Sequence, residues 1–314
     1  MTLPTLVIGG AGFIGIALVN ALLAAGQSVI VVGRRPRAGT EVPAGADYVQ
    51  SDYSAPGAIE VLLPRCGAIV DLAYATAPKT DFSDPLEDLR RNAFASVGLI
   101  ETLVTAKWRG RLLIVSSGGT IYGLAKSVPL NEDSPLAPIS PYGIAKLAVE
   151  RYAEMYFRMG GLNVVVVRPA NAYGLGQRPF RGQGFLATAM GCVAQRRPVT
   201  VFGANGTVRD YIHVDDVASG MLAALRAGRP GQFYNLGSGV GRSNRDVLEA
   251  LSTIVLPDGF SVETVIEPAR GFDVPINVLD SAKLERECGW HTRVSFEAGI
   301  REMWPDIRRR CENP

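Results

Sequence analysis

Tyr142 and Lys146 stand four positions apart in Tyr-Gly-Ile-Ala-Lys, a spacing that puts both side chains on one face of a helix. A free tyrosine, with a pKa of about 10, is a poor base at neutral pH. A nearby ammonium stabilises the phenolate and lowers that pKa, which makes the hydroxyl a usable general base. An amphipathic surface pair is the plain alternative for any Tyr-x-x-x-Lys, so position decides. The pair follows Leu112-Leu-Ile-Val-Ser116-Ser117-Gly-Gly-Thr120-Ile-Tyr122-Gly123, which reads as a strand running into a hydroxyl-rich turn. Ligands of open parallel sheets bind at the carboxyl ends of strands, which is where Ser116, Ser117 and Thr120 are expected.

A second chemical feature lies near the start, in Thr5-Leu-Val-Ile-Gly9-Gly10-Ala-Gly12-Phe13-Ile14-Gly15. A buried strand ends there, glycines let the backbone approach a pyrophosphate, and a helix N-terminus offers its free N–H groups. Both Gly-x-x-Gly-x-x-Gly and Gly-x-Gly-x-x-Gly occur in the segment. Ile16–Ala25 reads as a helix, Gly26 as its C-cap, and residues 28–32 as a second buried strand. That context makes a nucleotide-cofactor site a better reading than a bare structural turn.

These groups need a scaffold, and the chain supplies alternating elements. Strand-like runs at Leu6–Ile8, Val29–Val32, Ala68–Leu72, Leu112–Ser116 and Val164–Arg168 alternate with helical stretches at Gly15–Ala25, near Ala58–Leu63, Pro85–Ala106 and Tyr142–Met159. Alternation of this kind predicts an α/β fold with a parallel sheet and helices on both faces. The runs are nearly continuous in Val, Ile and Leu, as doubly covered strands require. After Arg168, Pro169, Gly174, Gly176, Pro179, Gly182 and Gly184 mark a loop-rich region suited to shaping a pocket.

The 314 residues are 47% hydrophobic and 20% charged, ordinary for a soluble globular enzyme, and the net charge of +2 gives no argument for nucleic acid or an anionic membrane. No run reaches the length of a membrane span. Cys66, Cys192, Cys288 and Cys311 show no paired spacing, so reduced thiols and a cytoplasmic location are expected. His213 and His291 are too few and too separated for a metal cluster, and His213 reads as a structural hydrogen-bonder. Trp290 and Trp304 read as core or rim residues.

Taken together, the motifs make the chain resemble the extended short-chain dehydrogenase/reductase family, specifically its nucleotide-sugar epimerases and dehydratases, from about Thr5 to about Arg301. The resemblance rests on the glycine loop, Asp52-Tyr53, Asn92, Ser-Ser-Gly-Gly-Thr-Ile-Tyr-Gly, Tyr142/Lys146, Arg168-Pro-Ala-Asn171, Val208-Arg209-Asp-Tyr-Ile-His-Val-Asp-Asp216 and Arg270-Gly-Phe-Asp273. It implies a Rossmann-type doubly wound sheet over residues 1–168, with a returning segment near 209–227. A smaller, interleaved substrate portion would occupy most of 169–314. It further implies that Gly9, Gly12, Phe13, Ile14, Gly15, Asp52, Tyr53, Leu72, Ala73, Asn92, Ser116, Tyr142 and Lys146 line the cofactor. Within that set Asp52 would contact the adenine, Asn92 would lie near the nicotinamide ribose, and Lys146 would bind that ribose. Asn171, Arg209 and Arg270 would hold a nucleotide diphosphate, with Asp273 near its ribose. Arginine forks suit phosphate oxygens and an aspartate suits paired hydroxyls.

Two departures from the family pattern matter. UDP-galactose 4-epimerases and dTDP-glucose dehydratases usually carry a catalytic Ser or Thr where this chain has Gly118. Thr120 is then the best remaining hydroxyl, with Ser117 second. The dehydratases also place an Asp-Glu pair where this chain has Gly119-Thr120, which disfavours a dehydratase. At the end of the second strand, NAD-preferring members carry an acidic residue, whereas this chain has Gly33-Arg34-Arg35. Two guanidiniums attract a 2′-phosphate, so NADP is favoured, with NAD possible. The leading expectation is a homodimeric nucleotide-sugar 4-epimerase working through a transient 4-keto sugar. An NADPH-dependent 4-keto-sugar reductase is the alternative, and a non-catalytic cofactor-sensing regulator the least favoured.

Overall fold

The apolar runs of the first half of the chain come together as parallel strands. A computed structural model describes residues 3–37, 41–74, 85–181, 184–271 and 273–312. Its main sheet holds β1 (Thr5–Ile8), β2 (Val29–Gly33), β3 (Asp47–Gln50), β4 (Ala68–Asp71), β5 (Arg111–Val115), β6 (Val164–Pro169) and a seventh strand from far downstream, Phe233–Leu236. The order runs from that last strand through β6, β5, β4, β1 and β2 to β3, and every pairing is parallel. Strand order reverses between β1 and β4, so a crevice opens beyond their carboxyl ends, the usual ligand position in such sheets.

Helices cover both faces. In chain order the helices are α1 (Phe13–Ala24), α2 (Pro85–Asp88), α3 (Phe94–Thr105), α4 (Pro141–Gly160), α5 (Phe185–Ala194), α6 (Val214–Ala227), α7 (Asn244–Val255), α8 (Ala282–Cys288) and α9 (Phe296–Glu312), of which α1, α3, α4 and α6 pack on the main sheet. Successive strand residues alternate between two cores. Val7, Val31, Val70, Leu113 and Val165 pack with Leu18 and Leu22 of α1 and Val217 and Met221 of α6. Leu6, Ile8, Ile30, Ile69, Leu112 and Ile114 pack with Leu99 and Leu103 of α3 and Val149 and Ala153 of α4. Two buried faces leave no polar alternation in the strands, which is why they read as unbroken apolar runs.

Downstream of β6 lie β7 (Asn171–Tyr173), β8 (Val199–Phe202) and β9 (Val208–His213), followed by β10, which is the Phe233–Leu236 strand. The chain then forms β11 (Gly241–Ser243), β12 (Thr264–Glu267) and β13 (Ile276–Asn277). β9 gathers β7, β11 and β13 into a small sheet, and β8 pairs with β12. α5, α7 and α9 close a third core around Met190, Leu251, Met303 and Trp304. Trp290 and Trp304 are both buried.

Two helical expectations need correction. The segment near Ala58–Leu63 is a run of turns ending in a 3₁₀ turn at Leu63–Arg65, because Pro56-Gly57 and Pro64 break it, with Gly57 at φ +80°. The stretch Pro85–Ala106 is not one α-helix: a π turn at Leu89–Ala93 separates α2 from α3. Such insertions cluster at functional sites. Here the turn faces Asp88, Asn92 and Ser96 inward, all of them buried.

Candidate active site

Helix α4 begins sharply. Ser140 accepts a hydrogen bond from the Gly143 N–H at 3.2 Å, and Pro141 occupies the first turn, where it loses no bond. Tyr142 therefore sits at the mouth of the helix, with Lys146 one turn deeper on the same side. The helix is tied to β6 by a buried ion pair, in which Arg168 donates to Glu150 at 2.7 and 3.0 Å. The two side chains are 3% and 1% exposed, so neither charge has water to fall back on.

The Tyr142 hydroxyl lies in the neighbourhood of Ser117. Burial pushes this hydroxyl up to about 12, Ser117 opposes that, and Asp88 adds to it. Lys146 donates to the Val115 carbonyl at 2.8 Å and lies 4.7 Å from the Tyr74 ring centroid and 5.9 Å from that of Tyr142. Burial draws Lys146 down to about 8, while Asp71, Glu150 and Asp88 hold it up. In the protein alone, desolvation is the largest influence on both groups, and the predicted lowering of the tyrosine is not seen.

The turn after β5 carries the hydroxyls. Ser117 is the hydroxyl that acts on Tyr142, whereas the Oγ1 of Thr120 and the Oγ of Ser116 are buried without a protein partner. Buried hydroxyls rarely remain unsatisfied, so these two point to a ligand or water. Gly118 does not accommodate a serine or threonine: a Cβ there would lie 2.4 Å from a Leu279 methyl and 2.8 Å from the Arg168 carbonyl.

The glycine loop forms a cradle at the end of β1. Gly9 has φ +82° and its α-carbon backs onto the Leu72 and Ala73 backbone, while a Cβ on Gly15 would meet the Gly9 carbonyl at 2.3 Å. The N-cap of α1 is Gly12, whose lack of a side chain leaves the first-turn N–H groups at Phe13 and Ile14 without a side-chain cap. This cradle and the orphaned hydroxyls fit a dinucleotide with its pyrophosphate on α1 and its nicotinamide end near Ser116.

At the end of β2, Arg34 and Arg35 are exposed. The Tyr48 hydroxyl donates to the Arg35 carbonyl at 2.6 Å and lies 2.7 Å from where a Gly33 Cβ would stand. Asp52 is exposed and accepts from the Ser54 N–H and hydroxyl at 3.1 and 2.7 Å, which holds its carboxyl below the usual range. Tyr53 is half-buried and its hydroxyl is raised, chiefly by burial and then by Asp71, against a hydrogen bond with Ser96. Asn92 donates to Asp88 at 3.1 Å, and Asp88 accepts from the Tyr74 hydroxyl at 2.6 Å.

Three of the expected substrate residues, Arg209, Arg270 and Asp273, are neighbours. Asp273 accepts from Arg270 at 2.9 Å and acts electrostatically on the half-buried Arg209. Asn171 Oδ1 lies 3.1 Å from where a Gly119 Cβ would stand, and β7 carries Asn171 alongside Tyr211 of β9, next to Arg209. Arg270 stacks 4.0 Å over the Phe202 ring. Phe202, Tyr74, Ser96 and Asp71 were not singled out from the sequence. The available signals were a lone carboxylate ending an apolar strand, and polar residues at spacing four in Asp88, Asn92 and Ser96. His213 accepts from the Asp215 N–H through Nδ1 at 3.4 Å and lies apart from these residues, beside Tyr173. Among the described residues no group of three or more His, Cys, Asp or Glu is placed to hold a metal ion, and no helix is long and apolar enough to cross a membrane.

Comparison with known proteins agrees with this geometry. The model of the NAD dependent epimerase/dehydratase family matches residues 5–237. A UDP-glucose 4-epimerase of Mycolicibacterium smegmatis is 34% identical, over 98% of this chain and 99% of its own. The crystal structure of the Thermotoga maritima UDP-glucose 4-epimerase with UDP-glucose has a TM-score of 0.87 at 31% identity, covering 98% of this chain and 99% of that one. That of the Thermus thermophilus UDP-glucose 4-epimerase with NAD has a TM-score of 0.86 at 32% identity, covering 97% and 99%. By its motifs, its Rossmann-type sheet and these matches, the chain belongs to the NAD-dependent epimerase/dehydratase family.

Proposed function

We propose that the protein is a nucleotide-sugar 4-epimerase that inverts the C4 centre of a UDP-hexose through a transient 4-keto sugar. The observation that carries this reading is the pairing of Tyr142 with Lys146 one turn along α4, the ammonium 5.9 Å from the centre of the tyrosine ring and held by the Val115 carbonyl at the end of β5. A nicotinamide dinucleotide, when bound, supplies reversible oxidation at the sugar carbon. Tyr142 takes the C4 hydroxyl proton and later returns it. Lys146 stabilises the phenolate and binds the cofactor ribose. Ser117 orients the Tyr142 hydroxyl, and Thr120, with its buried unpartnered Oγ1, meets the sugar. Gly118 cannot take over, because Leu279 and the Arg168 carbonyl fill the space of its side chain.

Gly9, Gly12, Phe13, Ile14 and Gly15 hold the pyrophosphate, and Leu72, Ala73, Asn92 and Ser116 line the nicotinamide half. Asp52 and Tyr53 stand on the adenine side. Asn171, Arg209 and Arg270 neutralise the substrate diphosphate while Asp273 accepts from its ribose. The UDP-glucose 4-epimerases among the relatives support a uridine nucleotide. A coupled assay for conversion of UDP-galactose to UDP-glucose tests the reading. Turnover that requires the nucleotide supports it, and free hexose turned over equally well contradicts it.

Cofactor choice rests on Gly33-Arg34-Arg35. The Tyr48 hydroxyl occupies the place where an acidic side chain at position 33 would start, and two exposed guanidiniums suit a 2′-phosphate. NADP is therefore the proposed cofactor, although the Thermus thermophilus relative was crystallised with NAD. The same arginines favour the second reading, an NADPH-dependent 4-keto-sugar reductase. Protein purified with cofactor retained supports the epimerase, and protein that exchanges cofactor freely supports the reductase.

The quaternary state is proposed as a homodimer in the cytoplasm. Leu86, Phe94, Ile144, Tyr152 and Met159 are exposed by 62, 74, 51, 46 and 80%, an apolar surface on the helices flanking the site.

A further inference from the structure

We propose that Asp71 is a positioning residue for the Tyr142/Lys146 pair, its buried carboxylate facing Lys146 across a water-sized cavity and keeping that amine charged. The inference rests on the assignment of Tyr142 and Lys146 above.

Asp71 ends β4, level with Ile8 of β1 and Ile114 of β5, at the crevice where strand order reverses. It is 3% exposed. One oxygen accepts from the Ser96 hydroxyl at 2.6 Å and the other from the Ala73 N–H at 3.1 Å. Both donors are neutral, so within this shell the carboxylate has no cation of its own. A cavity of about 10 Å³, room for roughly one water molecule, is lined by Asp71, Asn92, Ser96, Val115 and Lys146. The charge that Asp71 faces across this space is the Lys146 ammonium.

Lys146 needs such a partner. It is half-buried, and an ammonium taken from water tends to lose its proton. Its Val115 contact and the Tyr74 ring are uncharged. Three carboxylates act on it: Glu150 on its own helix, Asp88 on α2 and Asp71 on β4. Glu150 is already paired with Arg168 through two hydrogen bonds. Asp88 accepts from Tyr74 and Asn92 and does not line the shared cavity. Asp71 is itself faced by Lys146, Ser96 and Tyr53. Burial raises Asp71, which opposes its ionisation, and the Ser96 bond and Lys146 work the other way. The two groups thus support each other's charged forms.

The role is electrostatic and not a proton exit. Epimerisation returns the proton that Tyr142 removes, so it needs no net proton path. What it needs is a phenolate stabilised by a lysine that stays cationic at working pH. Without Asp71, Lys146 would titrate below its present position near 8 and the charge would be lost across the neutral range.

The test is a titration of Lys146 by NMR in protein labelled at the lysine side-chain carbons, feasible because the chain has five lysines. Asp71→Asn should lower the Lys146 midpoint by at least about one pH unit, and Asp71→Ser should do the same with less bulk. Asp71→Glu keeps a carboxylate at the cavity and should not lower the midpoint by more than about 0.3 unit, a resolution set against the tenfold change in ionisation per pH unit. In turnover, the alkaline fall in kcat should move down by the same interval, giving about tenfold less activity on that limb. An unmoved midpoint in whichever charge-removing variant folds, or an equal downward shift in Asp71→Glu, would overturn the proposal. The titration needs no substrate, so it can fail while the epimerase assay succeeds, and the reverse.

Discussion

Tyr142→Phe keeps the ring that packs against Tyr74 at 4.6 Å and deletes only the hydroxyl proposed to move the proton. Turnover should drop at least about 100-fold, the ordinary scale of general acid–base catalysis, with cofactor affinity retained. Wild-type-like rates by steady-state kinetics would remove Tyr142 from the mechanism. At the other end of the cleft, changing Arg34 and Arg35 together to Ala should weaken NADP and spare NAD, each charge-assisted bond contributing roughly 1.5–3 kcal/mol. Calorimetry showing equal loss for both cofactors would return the arginines to a surface turn. The Tyr142/Lys146 pair was legible in the sequence because its spacing is that of a helix. Its electrostatics was not, because desolvation depends on what packs over a side chain, and Tyr74, Asp71 and Asp88 arrive from other elements. The block at Gly118 was equally hidden, since Leu279 follows it by more than half the chain.

Helix α4 must keep its place against β6 for any of this to work, and the Arg168–Glu150 pair ties the two. Arg168→Leu would leave Glu150 charged and buried without a partner. The loss should be about 3–5 kcal/mol in urea unfolding, the range for breaking a buried pair. A loss below about 1 kcal/mol, the level of an exposed pair, would mean that water reaches Glu150. Strands β1, β2, β4, β5 and β6 were readable because each is an apolar run buried on two faces. β3 and β10 were not, because the first is a short, partly exposed edge and the second carries buried Asn235, which bonds to Tyr122 and the Leu130 carbonyl. The π turn at Leu89–Ala93 also escaped, because helical periodicity alone does not register one added residue.

The whole molecule leaves an apolar surface uncovered on α3 and α4, where Phe94 and Ile144 are exposed by 74 and 51%. Isologous pairing about a two-fold axis would bury it. Light scattering should give the mass of two chains at micromolar concentration, and Phe94→Glu with Ile144→Glu should give one; a monomeric wild type would rule out the stable dimer. The loop-rich region after Arg168 could be recognised as a pocket builder, but not its small sheet around β9, whose partners lie in β7, β11 and β13. The central claim is inversion at C4 by removal and return of the same hydrogen. It is tested most directly by incubating the wild-type protein with UDP-glucose deuterated at C4 and a catalytic amount of cofactor. The account predicts UDP-galactose with deuterium retained at C4 and no accumulation of reduced cofactor. Formation of no UDP-galactose, deuterium washed out to solvent, or stoichiometric reduction of the cofactor would contradict it.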